Sequence, residues 1–297
     1  MGTPDFAVQP LRELVENGYN VVAVVTMPDK PAGRGHHLQF SPVKQYAIEH
    51  NLPVLQPEKL KDPEFLEQLR SYNADLQIVV AFRMLPEVVW AMPPRGTFNL
   101  HASLLPEYRG AAPINWAVIN GETRTGITTF FLQHAIDTGD IIIQEAIDIA
   151  PEDNVGDIHD RLMMLGGKLV LRTVDMIEAG NVTLQKQPEA DIKPAPKIFK
   201  ETCELHFDRS VTYVHNLVRG LSPYPAAWCA LADGRVIKVY RTAVEKRAVS
   251  EPAGTLLTDN KSYLKFACTD GYLNVLELQM PGKRRMGIEE LLRGTKF

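Results

Sequence analysis

Cysteine is scarce in this chain of 297 residues. The three present, Cys203, Cys229 and Cys268, lie far apart and form no C-x-x-C pair. That excludes a disulfide framework or a zinc ribbon and suits a reducing compartment. No apolar run reaches the ~18 residues that a membrane span needs, and no stretch has the form of a secretory signal. Without secretion, the Asn181-Val182-Thr183 glycosylation pattern reads as chance. The eight histidines show no H-x-x-x-H or comparable spacing, so no metal is expected. Internal repeats and low-complexity tracts are also missing. A cytoplasmic protein with no membrane contact is the expectation.

What is present is ordinary in amount and uneven in placement. Hydrophobic residues make up 45% and charged residues 23% of the chain, as in globular proteins. The length allows two domains. Net charge is −4, but residues 1–200 carry −7 and residues 201–297 carry +3. That excess is either scatter or the mark of a part that faces a polyanion.

The first two-thirds alternates strand and helix signals. Val21–Thr26 and Asp75–Ala81 are unbroken β-branched or apolar runs of the kind that form buried parallel strands. Thr97–His101, Thr128–Leu132 and Ile141–Ile149 are further strand candidates. Helices are expected from Pro4-Asp5 to Gly18, after Ser41-Pro42, after Asp62-Pro63, and over Asn154–Ile177, where Gly166-Gly167 marks a bend. Such alternation predicts an α/β domain with a mostly parallel, Rossmann-like sheet. Gly2-Thr3-Pro4 resembles the turn after a first strand, so that strand is expected to be absent or trimmed away.

Residues 186-KQPEADIKPAPKIFK-200 hold three prolines and four lysines and read as extended linker. Beyond them come a short helix (Val211–Arg219), a Pro-rich turn and five short strands, the pattern of a small OB-like β-barrel. The expected domains are 1–185, a linker at 186–205, and 206–297.

In an open parallel sheet, ligands gather beyond the carboxyl ends of strands. Asn99 and His101 stand at such an end, two residues apart and so on one face. An amide can donate to an oxygen that becomes negative, and an imidazole can donate or move a proton near neutral pH. Asp137, in the polar turn before Ile141–Ile149, could fix the imidazole and take a proton. Each signal alone is weak. A strand-end histidine is commonly structural, and Asp137-Thr138-Gly139 could be a capping turn. It also matches an aspartic-protease motif, but that chemistry needs a second carboxylate motif, which the sequence lacks.

The segments 99-NLHASLLPEYRGAAPINWA-117 and 137-DTGD-140 together resemble the folate-dependent formyltransferases. The stretches 1-MGTPDFA-7, 27-MPDKPAGRG-35 and 41-SPVKQ-45 resemble the branch that formylates methionyl-tRNA. The likeness covers nearly the whole chain and weakens after about residue 200. It implies 10-formyltetrahydrofolate as donor and methionyl initiator tRNA as acceptor; a monomer without metal is the expectation. It places Asn99, His101 and Asp137 on the catalytic triad. Ser103, Leu104, Leu105 and Pro106 match the folate-contacting loop. Phe82, Arg83, Met84 and Leu85 fall in the pterin-lining segment. There 81-AFRMLP-86 is one residue shorter than the A-Y-G-x-x-L-P of many members and closer to purine-pathway relatives.

The loop 28-PDKPAGRGHHL-38 is long and polar, and loops of that kind are usually functional or disordered. The resemblance implies that it reaches the tRNA acceptor end through Lys30 and Arg34, and His36-His37 stand where many members have two lysines. Lys283, Arg284 and Arg285 are the tight basic cluster of the C-terminal part, expected to contact phosphates or simply to form a solvated turn. The alternatives are a sugar-nucleotide N-formyltransferase using the same donor, a formyl-folate hydrolase, and a non-enzymatic tRNA-binding module.

Overall fold

The computed structural model describes residues 1–32, 37–188 and 192–297, with backbone alone for 30–32 and 37–38. The chain divides into two units, the first made of residues 1–109, 126–147 and 159–193, the second of 110–125, 148–158 and 194–297.

The first unit opens with a 3-10 turn, Asp5–Ala7, and α1 (Val8–Glu16). Then follow β1 (Val24–Val25), a hairpin of β2 (Lys30–Ala32) and β3 (His37–Gln39), α2 (Pro42–Glu49), β4 (Val54–Leu55), α3 (Pro63–Ser71), β5 (Gln77–Val80), α4 (Glu87–Trp90) and β6 (Thr97–His101). After α5 (Pro113–Ile119), which belongs to the second unit, come β7 (Arg124–Phe131), β8 (Ile141–Asp148) and α6 (Val155–Glu178). Both expected caps form. Ser41 accepts from Lys44 N at 3.1 Å and Asp62 from Glu64 N at 3.0 Å, each with proline opening the helix.

Pairing is parallel for β1 with β4 and for β5 with β6. Residues 1 and 2 lie between these pairs. Gly2 N donates to Val25 O at 3.0 Å, Val80 N donates to Met1 O at 2.9 Å, and Gly2 bridges Val80 in parallel. Met1 and Gly2 thus make strand-like backbone contacts to Val25 on one side and Val80 on the other. From β6 onward an antiparallel edge joins, in the order β5-β6-β7-β8, as is common in large α/β sheets. The core gathers Val25, Leu55, Leu60, Phe65, Leu69, Val79, Leu85 and Val89.

Gly166-Gly167 does not interrupt α6, which is one helix over Val155–Glu178. A Cβ on Gly166 would meet the Leu100 side chain at 2.8 Å, and one on Gly167 would meet Gln9 and Glu13 at 2.9 and 2.8 Å. The two glycines therefore let the helix lie close against β6 and α1, a packing role that outweighs their propensity cost of about 1 kcal/mol each.

In the second unit, Asn115 of α5 donates to Gly220 O at 2.8 Å on α7 (Val211–Leu221). A Cβ on Gly220 would sit 2.4 Å from Ile119, so these two helices also touch backbone to side chain. The strands β9 (Ala227–Ala230), β10 (Val236–Glu245), β11 (Leu256–Thr258), β12 (Leu264–Ala267), β13 (Tyr272–Gln279) and β14 (Arg285–Gly287) form an antiparallel half-barrel. Its order is β11-β12-β13-β10-β9, with β14 on β13, and α8 (Ile288–Leu292) follows. The core beneath it holds Val214, Leu217, Leu221, Ile237, Val239, Leu273, Leu278 and all three cysteines. Sequence pattern alone did not show α4, α5 and α8, all short and without a side-chain cap.

Candidate active site

β6 carries Asn99 and His101. Phe98 and Leu100 alternate with them and are buried. Pairing with β7 sets Phe98 opposite Phe131 and His101 opposite Thr128. The far end of β7 therefore lies beside the start of β6, roughly 13 Å along the strand from His101. The turn after β7 must fold back along the sheet to deliver Asp137, and it does. His101 Nδ1 lies 3.8 Å from Asp137 Oδ2, with His101 only 6% exposed.

The turn can double back because its backbone is unusual. Asp137 has φ +54°, a left-handed conformation that aspartate tolerates better than most residues. Gly139 lies so close to the end of β7 that a Cβ there would stand 1.7 Å from Phe131 O. Phe131 N donates to Asp140 O at 3.2 Å and closes the turn.

The imidazole is oriented by a group that the sequence reading did not identify. His101 Nε2 lies 2.9 Å from the carbonyl of Tyr108. A carbonyl only accepts, so Nε2 carries the hydrogen and Nδ1 is the nitrogen turned toward Asp137. The 3.8 Å separation from Asp137 is within charge-pair range and beyond a direct hydrogen bond. Asn99 is half-buried, and its side chain makes no hydrogen bond among the described residues.

The loop 103–106 is braced from within. Thr128 Oγ1 donates to Ser103 O at 2.7 Å and accepts from Leu105 N at 3.2 Å and from Gln144 Nε2 at 2.8 Å. Gln144 also donates to Leu105 O at 2.8 Å, and the Leu105–Pro106 peptide is cis. Ser103 and Leu105 are buried in this loop, Ser103 donating to Glu107 O at 2.6 Å, while Leu104 and Pro106 are half-buried.

In the 81–86 segment, Phe82 packs on the core and Leu85 belongs to it. Arg83 donates to Glu58 O at 2.8 Å and to Pro57 O. Burial holds its guanidinium below the usual arginine range, and its Nε is buried without a partner among the described residues. Met84 is 76% exposed and lines an open groove of about 750 Å³ with Lys59, Lys61, Arg83 and Val88.

Of the residues expected to meet tRNA, Lys30 opens β2 and Arg34 lies outside the described residues. In the C-terminal cluster Arg284 pairs with Glu290 and Arg285 with Glu277, while Lys283 is exposed. The structure thus brings His101 and Asp137 together, with Asn99 one pleat away. Neither the tyrosine carbonyl nor the threonine and glutamine bracing the loop had a pattern in the sequence that could single it out.

Comparison with known proteins identifies the class. Residues 1–174 match the family model "Formyl transferase" and residues 197–296 match "Formyl transferase, C-terminal domain". The chain is 62% identical over 305 residues to a methionyl-tRNA formyltransferase of Bacteroides thetaiotaomicron, an alignment covering 100% of this chain and 95% of that protein. For the enzyme of that name from Bacteroides fragilis the identity is 60% over 302 residues, with 99% and 93% covered. In shape the chain resembles WlaRD, a sugar 3N-formyl transferase solved in the presence of dTDP and 5-N-formyl-THF. The TM-score is 0.69 over 95% of this chain and 97% of that one, at 18% identity, a likeness of fold alone. The chain belongs to the formyl transferase family, in the branch of the methionyl-tRNA formyltransferases. No helix among the described residues is long and apolar enough to cross a membrane.

Proposed function

We propose that this protein transfers the formyl group of 10-formyltetrahydrofolate to the α-amine of methionine on initiator tRNA, for translation initiation. The observation that carries the reading is the meeting of His101 with Asp137 at 3.8 Å, with Asn99 on the same face of β6. The folate supplies an activated formyl carbon, and the side chains here do the rest. Asn99 donates to the formyl oxygen as it gains negative charge, a role worth about 3–4 kcal/mol per donor. With Nε2 held by Tyr108 O, the Nδ1 edge of His101, which faces Asp137, is the part of the ring left to meet the formyl oxygen. Asp137 takes a proton from the attacking amine, directly or through water, as the new carbon–nitrogen bond forms; the adduct then collapses, the bond from the formyl carbon to the folate nitrogen breaks, and that nitrogen leaves carrying a proton. Acid–base help of this kind contributes about 10²–10⁴-fold.

The full-length likeness to relatives named methionyl-tRNA formyltransferase supports the tRNA acceptor. Lys30 and Arg34 of the 28–38 loop, with Lys283, Arg284 and Arg285, are the candidate phosphate contacts, serving without base reading. The segments Phe82–Leu85 and Ser103–Pro106 are the candidate folate walls, with Met84 exposed and Phe82, Arg83, Leu104 and Pro106 half-buried. In this reading residues 1–185 do the chemistry, 186–205 join, and 206–297 hold tRNA, in a cytoplasmic monomer. The test is incubation with 10-formyltetrahydrofolate and methionyl initiator tRNA. Formylmethionyl-tRNA is the expected product, and formylation of a nucleotide amino sugar instead would transfer the assignment to the sugar-nucleotide enzymes.

A further inference from the structure

Gln187 lies in the lysine- and proline-rich segment that reads as linker, yet its side chain is fully engaged. Oε1 accepts from Arg109 Nε at 3.0 Å and from Arg109 Nη2 at 2.6 Å. Nε2 donates to the carbonyls of Asp137 at 2.9 Å and Gly139 at 2.8 Å. Two residues earlier, Gln185 and Ile141 exchange backbone hydrogen bonds of 2.8 and 2.9 Å, so the segment runs as a short antiparallel strap beside the turn. Arg109 directly follows Tyr108, whose carbonyl receives His101 Nε2. A single guanidinium–amide bridge therefore joins the loop that orients the imidazole to the turn that presents the carboxylate.

The chemistry of the bridge is selective. It needs an acceptor toward Arg109 and a double donor toward two carbonyls, which a glutamine amide combines and a glutamate or lysine does not. Other ties on the turn are local: Thr138 Oγ1 donates to Ala135 O at 3.0 Å, and Phe131 N donates to Asp140 O at 3.2 Å at its base. The His134–Glu87 pair, at 3.6 Å, is 77% and 62% exposed, a setting in which ion pairs contribute little.

We propose that Gln187, held by Arg109, is a positioning residue for formyl transfer: it sets the Asp137 carboxylate against His101 Nδ1 without touching substrate. The proposal rests on the formyl-transfer reading, and it gives the Y-R-G turn and the start of the linker a shared task.

The experiment compares the full-length parent with Gln187→Ala, Gln187→Glu, Arg109→Lys and the double variant Arg109→Ala/Gln187→Ala. Steady-state formylation of methionyl-tRNA is read beside hydrogen exchange over residues 133–141. Misplacing a group by about 1 Å can cost about 10²-fold in rate. Gln187→Ala is therefore expected to lower kcat by roughly 10- to 100-fold, with KM for both substrates within about 2-fold of the parent. Gln187→Glu keeps the Arg109 contact but loses both donors, and falls as far. Arg109→Lys retains part of the rate. Because the two residues act as one chain, the double variant is no worse than Gln187→Ala, whereas independent roles would add. Exchange over 133–141 rises in each glutamine variant. Unchanged kcat and exchange, a loss confined to KM, or additive losses would overturn the proposal. Should Gln187→Ala not fold, Gln187→Glu and Arg109→Lys carry the same comparison. A parent that forms no formylmethionyl-tRNA would refute the function itself, leaving the exchange data to judge the bridge.

Discussion

A Cβ placed 1.7 Å from a carbonyl oxygen has nowhere to go, and that is the situation at Gly139. Gly139→Ala must push the D-T-G-D turn off the end of β7. Overpacking of this kind costs about 1–3 kcal/mol. The expected result is a lowered midpoint in urea unfolding, together with a loss of kcat, because the same turn presents Asp137. For the side chains at the reaction centre the losses should fall on kcat. If Asn99 donates to the developing oxyanion as proposed, Asn99→Ala is expected to lower kcat by about 10²–10³-fold with folate KM little changed. An Asn99→Ala protein that turns over at the parent rate in single-turnover assays would remove the amide from the chemistry.

At the scale of elements, the β2–β3 hairpin is tied at its base by a polar clamp. Asp29 accepts from Lys44 Nζ and from Gln56 Nε2, the latter at 2.8 Å, and Gln56 also donates to Met27 O at 2.8 Å. The Lys44 hydrogen bond, then that of Gln56, holds the Asp29 carboxyl below the usual carboxylate range. A depressed folded-state value means that the clamp's stabilisation is present above the unfolded value of about 3.9 and is lost as pH falls through the folded value. Asp29→Asn should therefore melt below the parent at neutral pH, and the gap should close in acid. A gap that widens on acidification would contradict the clamp.

At the scale of the whole molecule, two properties follow from where charge and sulfur lie. All three cysteines sit in the core of the second unit, Cys203 and Cys229 at 3% and Cys268 at 2% exposure. Burial pushes the Cys229 thiol up to about 12 and the Cys268 thiol up to about 11, so neither forms a reactive thiolate near neutral pH. A thiol reagent such as DTNB should find none quickly in the native protein and all three after unfolding, which makes the sulfurs a probe for opening of that unit. With a net charge of −4, the protein cannot attract tRNA by overall charge and must rely on local cations. The rate at subsaturating tRNA should fall with salt on a log–log line. Lys283→Ala should reduce its slope by about one if that ammonium meets a phosphate.

Periodicity and caps belong to local chemistry, so they were legible. Ser41-Pro42 and Asp62-Pro63 start helices where predicted, and the alternating β-branched runs become strands within a few residues of their expected limits. Two-residue strands such as β4 and the uncapped α4, α5 and α8 were not legible, being too short to show a period. The sequence by itself determined the family, the alternating α/β plan, and which three polar residues to suspect, because those are properties of residue type and spacing. Only the tertiary structure decided that Asp137 reaches His101 by a turn folded back along the sheet. It also decided which imidazole nitrogen faces that carboxylate, and that Gln187 of the apparent linker holds the turn. Those outcomes depend on backbone carbonyls and on contacts between residues up to 50 positions apart, and a carbonyl is the same group at every position in the chain.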